Sequence, residues 1–173
     1  MLRFPARPDL RPTPDRVRET LFNWLGQDLT GAACLDLFAG SGALGFEAAS
    51  RGAARVVLVE RDRAAVLALR ANAERLAANT IEVVLADAAR FVASAQERFD
   101  VVFLDPPFRQ NALADVLGRL PGMMKPGARV YVEAPEPVEC EGGWCELRRG
   151  RAGQVNFQLL ERIDDRSGLS GDV

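Results

Sequence analysis

Four short apolar runs, each closing on an acid, constrain this chain more than any other feature. They lead into Asp36, Glu60, Asp87 and Asp105. The last of them, four apolar residues in a row, reads as a strand buried on both faces, the mark of a parallel sheet. The last run, Val101-Val102-Phe103-Leu104-Asp105, meets Pro106 and Pro107, which lack an N–H and hold the preceding backbone extended, so the strand stops there. In a parallel sheet every strand's carboxyl end lies on one edge, so the four acids converge where open α/β sheets bind ligands. A proline-terminated strand with an incidental acid is the plainer alternative for Asp105 taken alone.

The segments between the strands have helical character. A helix is expected over 16–25, capped by Asp15, with Val17, Leu21, Phe22 and Leu25 on one face and Gly26 closing it. Strands over 33–37, 55–60, 81–85, 101–105 and 128–133 alternate with helices from the glycine-rich turn to about 51, over 63–77 (Val66, Leu69, Ala73 and Leu76 inward), over 88–94 and over 112–120. Residues 121–127 read as a turn. Two further strand-like runs, 144–149 and 154–160, flank Arg149-Gly150-Arg151-Ala152-Gly153 and suit an antiparallel hairpin that adds a strand to the sheet. The fold class is α/β: a mostly parallel, doubly wound sheet with right-handed crossovers and a C-terminal antiparallel hairpin. The expected organisation is a basic extended arm over 1–14, one domain over 15–162 and a frayed polar tail over 163–173.

A chain of 173 residues that is 48% hydrophobic, with a formal charge of -2, is long enough for a core without disulfides or metal. No apolar run reaches the roughly 18 residues of a membrane span, and no signal-peptide pattern opens the chain, so a cytoplasmic protein is expected. Cys34, Cys140 and Cys145 show no metal spacing and the chain has no histidine, which disfavours structural zinc; Cys34 is expected in the core. Arg3, Arg7, Arg11, Arg16 and Arg18 outnumber Asp9 and Asp15 near the start, which suits a phosphate backbone as partner and equally a solvated helix start.

The turn Ala39-Gly40-Ser41-Gly42 lets backbone approach a ligand, and Glu60 follows at the distance where an acid accepts from ribose hydroxyls. A dinucleotide would set its pyrophosphate on the helix N-terminus, where Asp36 is a liability. S-adenosylmethionine (AdoMet) carries a sulfonium and an ammonium instead, for which Asp36 and Asp105 are suitable neighbours, and Asp87 suits an adenine amino group. The residues therefore favour AdoMet.

Asp36-Leu37-Phe38-Ala39-Gly40-Ser41-Gly42-Ala43-Leu44-Gly45, with Asp105-Pro106-Pro107-Phe108, resembles class I AdoMet-dependent methyltransferases that act on an exocyclic amine of a base. Arg11-Pro12-Thr13, the arginine-rich run from Asp15 to Leu25 and Ala152-Gly153-Gln154-Val155 narrow the resemblance to the RsmD family, which methylates N2 of one guanine in 16S ribosomal RNA. The resemblance implies a Rossmann-like fold and a catalytic set of Asp105, Pro106, Pro107 and Phe108, with Phe108 stacking on the flipped base. It also implies that Gly40 and Gly42, flanked by Asp36, Ala39 and Ser41, line the methionine part of AdoMet. Glu60 with Arg61 would hold the ribose, Asp87 with Ala88 the adenine, and Arg11 and Thr13 would fold over the cofactor, with Arg18 in the same wall. The implied partner is 16S rRNA in the assembling or assembled small subunit; no membrane, metal or obligate protein partner is expected.

Family members usually carry a longer basic segment before the arginine-proline-threonine motif. Here ten residues precede Arg11, so either the start is shortened or RNA docking uses other surfaces, among which the arm and Arg148, Arg149 and Arg151 are candidates. Two other readings remain: an adenine N6 methyltransferase, for which a target-recognition segment is missing, and a non-catalytic AdoMet- or dinucleotide-binding module, against which Asp105 to Phe108 argues.

Overall fold

The computed structural model describes residues 14–107, 112–140 and 143–163. Seven strands form one sheet: β1 (Ala33–Asp36), β2 (Arg55–Glu60), β3 (Ile81–Leu85), β4 (Phe99–Leu104), β5 (Met124–Ala134), β6 (Trp144–Ala152) and β7 (Val155–Arg162). Their order is β3-β2-β1-β4-β5-β7-β6, with β1 to β5 parallel and β7 antiparallel to both β5 and β6. Strand order reverses between β1 and β4, which is the switch point where a crevice opens at the carboxyl edge.

Helices cover both faces, and strand alternation divides the core accordingly. On one face α1 (Asp15–Leu25), α2 (Ala43–Ser50) and α3 (Arg63–Arg75) pack over Cys34, Leu58, Phe103, Tyr131 and Phe157. On the other, α4 (Ala88–Ser94) and α5 (Ala112–Arg119) pack over Leu35, Val59, Leu104, Val132 and Leu160. The α1 face is held by Phe22 against Phe103, with ring centroids 6.0 Å apart, and by the Arg51 guanidinium 4.8 Å over the Phe22 ring. Trp24 of the same helix stacks on Phe157 of β7 at 5.2 Å, which ties α1 to the antiparallel half of the sheet.

Most elements lie where the sequence puts them, and the departures have local causes. Asp15 does not cap α1: Pro14 holds the N-cap position without a side-chain bond, and Asp15 lies in the first turn, paired with Arg18 at 2.9 Å. Gly26 ends the helix as expected. Helix α3 ends at Arg75, and Leu76 is exposed while Asn72 is buried beside Val66 and Leu69, because the chain leaves the helical path at Leu76. Strand β4 starts two residues earlier than expected and stops at Leu104, leaving Asp105 just past the sheet. Strand β5 starts at Met124 after a 3₁₀ turn (Leu120–Met123); a register shift opposite Phe99 and Val101 absorbs Pro126 and Gly127, which had suggested a turn throughout. The final hairpin turns on Gly153 and Gln154 alone, and the whole hairpin joins the sheet as two strands. Cys34 is buried, as its apolar run suggests. The arm as far as Thr13 and the tail from Asp164 lie outside the described residues.

Helix α2 fits against β2 because residue 45 has no side chain. A Cβ on Gly45 would collide with Leu58 and meet Val56 Cγ1 at 3.3 Å. Gly45→Ala is expected to destabilise the fold by about 1–3 kcal/mol, read as a lower urea midpoint at unchanged m.

Candidate active site

At the end of β1 the chain passes from Asp36 through Leu37 to Gly42 and into α2, and backbone bonds stitch this turn to both neighbouring strands. The Leu37 N–H donates to the Phe103 carbonyl of β4 at 3.2 Å, and the Ala39 N–H donates to the Val59 carbonyl of β2 at 3.0 Å. Gly42 takes φ 77°, and a Cβ there would run into Leu69 Cδ2 at 2.6 Å and the Phe46 ring at 2.8 Å, so strain and packing both demand glycine. Ser41 Oγ accepts weakly from the Ala43 N–H at 3.4 Å.

Asp36 is 2% exposed and sits beneath the turn, where it accepts from the backbone N–H groups of Phe38 and Gly45. Burial lifts its carboxyl from the ordinary 3.8 to about 7; the two N–H donors oppose this, and the charges of Glu60 and Glu133 add to it. Asp36 thus clamps the strand end to the start of α2. Glu60 braces the same turn from β2. Its Oε2 accepts from the Gly40 N–H at 2.9 Å and its Oε1 from the Asp62 N–H at 2.8 Å. Asp62 in turn caps α3 by accepting from the Ala65 N–H at 2.8 Å. Glu60 is half-buried at the edge, and a carboxylate with about four acceptor sites keeps capacity for hydroxyls.

Asp87 stands past β3 as the N-cap of α4, exposed, accepting from Ala89 N–H at 3.0 Å and Arg90 N–H at 3.3 Å; Ala88 behind it is buried. Arg61 is exposed beside Glu60. Asp105 is half-buried just past β4, followed by buried Pro106 and exposed Pro107. Arg18 pairs with Asp15 and reaches Glu47 of α2 at 4.0 Å, so it lies on the α1–α2 side. Arg11, Thr13 and Phe108 lie outside the described residues.

Sequence reasoning passed over one member of this edge. The fifth strand also carries an acid near its carboxyl end: Glu133 is 5% exposed, and its Oε1 accepts from the buried Tyr131 hydroxyl at 2.8 Å. Burial, then the charges of Glu133 and Asp105, push the Tyr131 hydroxyl well above its ordinary range. The signal was available, since this apolar run ends in an acid as the other four do.

A glycine turn at the end of β1 stitched to β2 and β4, an acid at the end of β2 and an Asp-Pro-Pro step just past β4 at the switch point are the arrangement of a class I methyltransferase. The family model described as "Conserved hypothetical protein 95" matches residues 1–161. Ribosomal RNA small subunit methyltransferase D of Escherichia coli K12 is 44% identical over 167 residues, covering 91% of this chain and 82% of the relative. Its namesake in Haemophilus influenzae is 40% identical over 160 residues, covering 88% and 83%. The solved E. coli methyltransferase yhhF superposes with a TM-score of 0.84 at 44% identity, covering 90% of this chain and 89% of that one. The chain belongs to the RsmD family.

The raised Asp36 carboxyl gives stability a definite pH dependence. A folded-state value above the unfolded one favours folding below about pH 4, and the contribution is lost as pH rises to about 7. The stability of the protein relative to Asp36→Asn is therefore expected to fall across that window and level off above it, measured by urea unfolding at stepped pH. A flat difference would contradict an Asp36 carboxyl raised by burial.

Proposed function

We propose that this protein transfers a methyl group from AdoMet to the exocyclic N2 of a guanine in 16S ribosomal RNA, at the crevice between the carboxyl ends of β1, β2 and β4. The observation that carries this reading is the Asp105-Pro106-Pro107 step beside the braced glycine turn. Its relatives of the small-subunit methyltransferase D type supply the substrate class.

The residues present suit AdoMet. Glu60 and Asp105 bring carboxylates to one edge, above the buried Asp36, which favours a sulfonium and an ammonium and disfavours a pyrophosphate. Gly40 and Gly42 admit the methionine part, Glu60 accepts from the ribose hydroxyls while its other lone pairs hold the turn, and Asp87 with Ala88 meets the adenine. Bound AdoMet supplies a methyl group made electrophilic by the sulfonium. Arg61, Arg11 and Thr13 complete the cofactor's surroundings in this reading.

Guanine N2 is a poor nucleophile because its lone pair is delocalised into the ring. The Asp105 carboxylate and the Pro106 carbonyl accept its two N–H bonds, hold the amine as it pyramidalises and stabilise the positive charge that develops. Pro106 and Pro107 fix that carbonyl in place, because neither residue can rotate about φ. Phe108 stacks on the base once it is turned out of the RNA. Holding both reactants in line supplies much of the remaining rate.

The RNA is met as part of the small ribosomal subunit, in the cytoplasm, with residues 15–162 acting as the catalytic domain. No helix among the described residues is long and apolar enough to cross a membrane. The edge strand β6 presents Arg148, Arg149 and Arg151, all exposed; Arg149 pairs with Glu146 at 2.9 Å and Arg151 donates to the Gly153 carbonyl at 3.0 Å.

Labelled methyl transfer from AdoMet to small subunits lacking the modification is expected to give N2-methylguanosine by mass spectrometry. Asp105→Ala should lower kcat by about 10²–10³-fold with AdoMet still bound; N6-methyladenine as product would overturn the reading. Replacing Arg148, Arg149 and Arg151 together with Gln should weaken RNA binding and reduce the salt slope by about one per lost phosphate contact. Unchanged RNA affinity would remove β6 from the interface.

A further inference from the structure

Three strand registers set one row of residues across the sheet at the height of the crevice. Leu104 pairs with Val132, so Asp105 follows level with Glu133; Glu133 pairs with Phe157, and Phe157 with Gly150. Adjacent strands lie about 4.8 Å apart, which puts Phe157 about 10 Å and Gly150 about 14 Å across the sheet from Asp105. Phe103, Tyr131, Phe157 and Leu159 belong to one apolar cluster, so the row looks out on the α1 side.

On that side the helices stop short of the sheet's edge. Helix α1 buries Val17, Leu21, Phe22 and Leu25, and Trp24 stands at the margin of this stripe, half-buried, its ring stacked on Phe157 at 5.2 Å and 30°. Past Trp24, the edge strand β6 packs extensively on β7 alone. Leu147, Gly150 and Ala152 of β6 are half-buried here, and residue 150 has to be glycine, because a Cβ would strike the Phe157 ring. The result is a flat apolar shelf that continues from the indole. Arg148, opposite Leu159, is the one charge that β6 turns to this side; Glu146, Arg149 and Arg151 lie opposite Leu160, Gln158 and Asn156 and point to the other. Arg148 is exposed, and its guanidinium meets the Leu147 carbonyl at 2.8 Å.

A half-exposed indole, a flat shelf of small and aliphatic groups and a bordering arginine suit an unpaired nucleotide: the base stacks and the guanidinium meets the phosphate. We propose that Trp24, with Leu147, Gly150 and Ala152 beside it and Arg148 at its border, is a stacking platform for a nucleotide that flanks the target base in the RNA. This inference rests on the reading of the protein as an RNA methyltransferase and deepens it by naming where the substrate strand docks. A base held at Asp105 has left its own stack, which exposes the faces of its neighbours, and the platform lies about 10 Å away at the same height. The charge on this part of β6 is complementary to a polyanion, since the strand turns an arginine and no carboxylate toward it.

The test reads Trp24 directly. The chain has two tryptophans, so Trp144→Phe leaves Trp24 as the sole emitter. A short oligouridylate offers no guanine to the active site and is expected to quench that emission, while anisotropy of the labelled oligonucleotide reports binding independently. Binding without quenching overturns the proposal, and so does absence of binding, because a stacking platform accepts any base. In the converse variant, Trp24→Phe, the remaining Trp144 emission should not respond, and this variant serves if Trp144→Phe does not fold. Trp24→Leu keeps an apolar side chain on Phe157 and should raise KM for small ribosomal subunits roughly 10-fold with kcat and AdoMet affinity unchanged, Trp24→Phe recovering most of the loss. A merely structural Trp24 would lower the melting temperature of the Leu variant and leave KM as it is, which contradicts the platform. Quenching in a protein that transfers no methyl group to guanine would sink the function reading and leave the RNA-stacking surface standing.

Discussion

The buried carboxyl of Asp36 is the group on which the site's geometry depends. β1 lies inside the sheet between β2 and β4, and the chain must leave it, turn within six residues and enter α2 without losing its backbone bonds. Asp36 meets this demand by accepting from Phe38 and Gly45 at once, on either side of the turn. Glu60 then takes the Gly40 N–H, so the outer part of the loop is fixed from the neighbouring strand. Two acids thus shape a glycine turn whose own residues have almost no side chains with which to shape it.

The same edge uses acids in graded burial, and the grading sorts their work. Asp36, nearly inaccessible, is a clamp whose carboxyl desolvation lifts to about 7. Glu60 and Asp105 are half-buried, held by the fold yet open enough to meet a ligand. Asp87 is exposed and serves the backbone of α4 as its cap. Asp36 therefore shapes the turn that it clamps and keeps almost no surface of its own, a distinction that its place in the sequence alone does not draw.

The sheet and the edge acids were legible because buried parallel strands such as β1 and β2 leave continuous apolar runs, and the acids mark where the runs meet the edge. Less legible were features set by distant partners. Met124 to Gly127 look like a turn because of Pro126 and Gly127, but pairing with β4 across a register shift draws them into β5. Arg149 to Ala152 look like a loop because of Gly150, yet that glycine is in the strand since the Phe157 ring occupies the space over it. Glu133 is a different case: it closes the fifth apolar run as plainly as the other acids close theirs, and what the sequence does not show is its burial against the Tyr131 hydroxyl. Leu76 fitted a helical stripe, but the helix ends one residue too early to bury it.

The most direct measurement is a crystal structure of the protein with S-adenosylhomocysteine and guanosine. The expected result places the ribose hydroxyls within hydrogen-bond distance of Glu60, the thioether sulfur over the glycine turn and guanosine N2 between Asp105 and Pro106. Density for the nucleoside away from the carboxyl ends of β1, β2 and β4, or a ribose held without Glu60, would contradict the assignment of this edge as the methyl-transfer site.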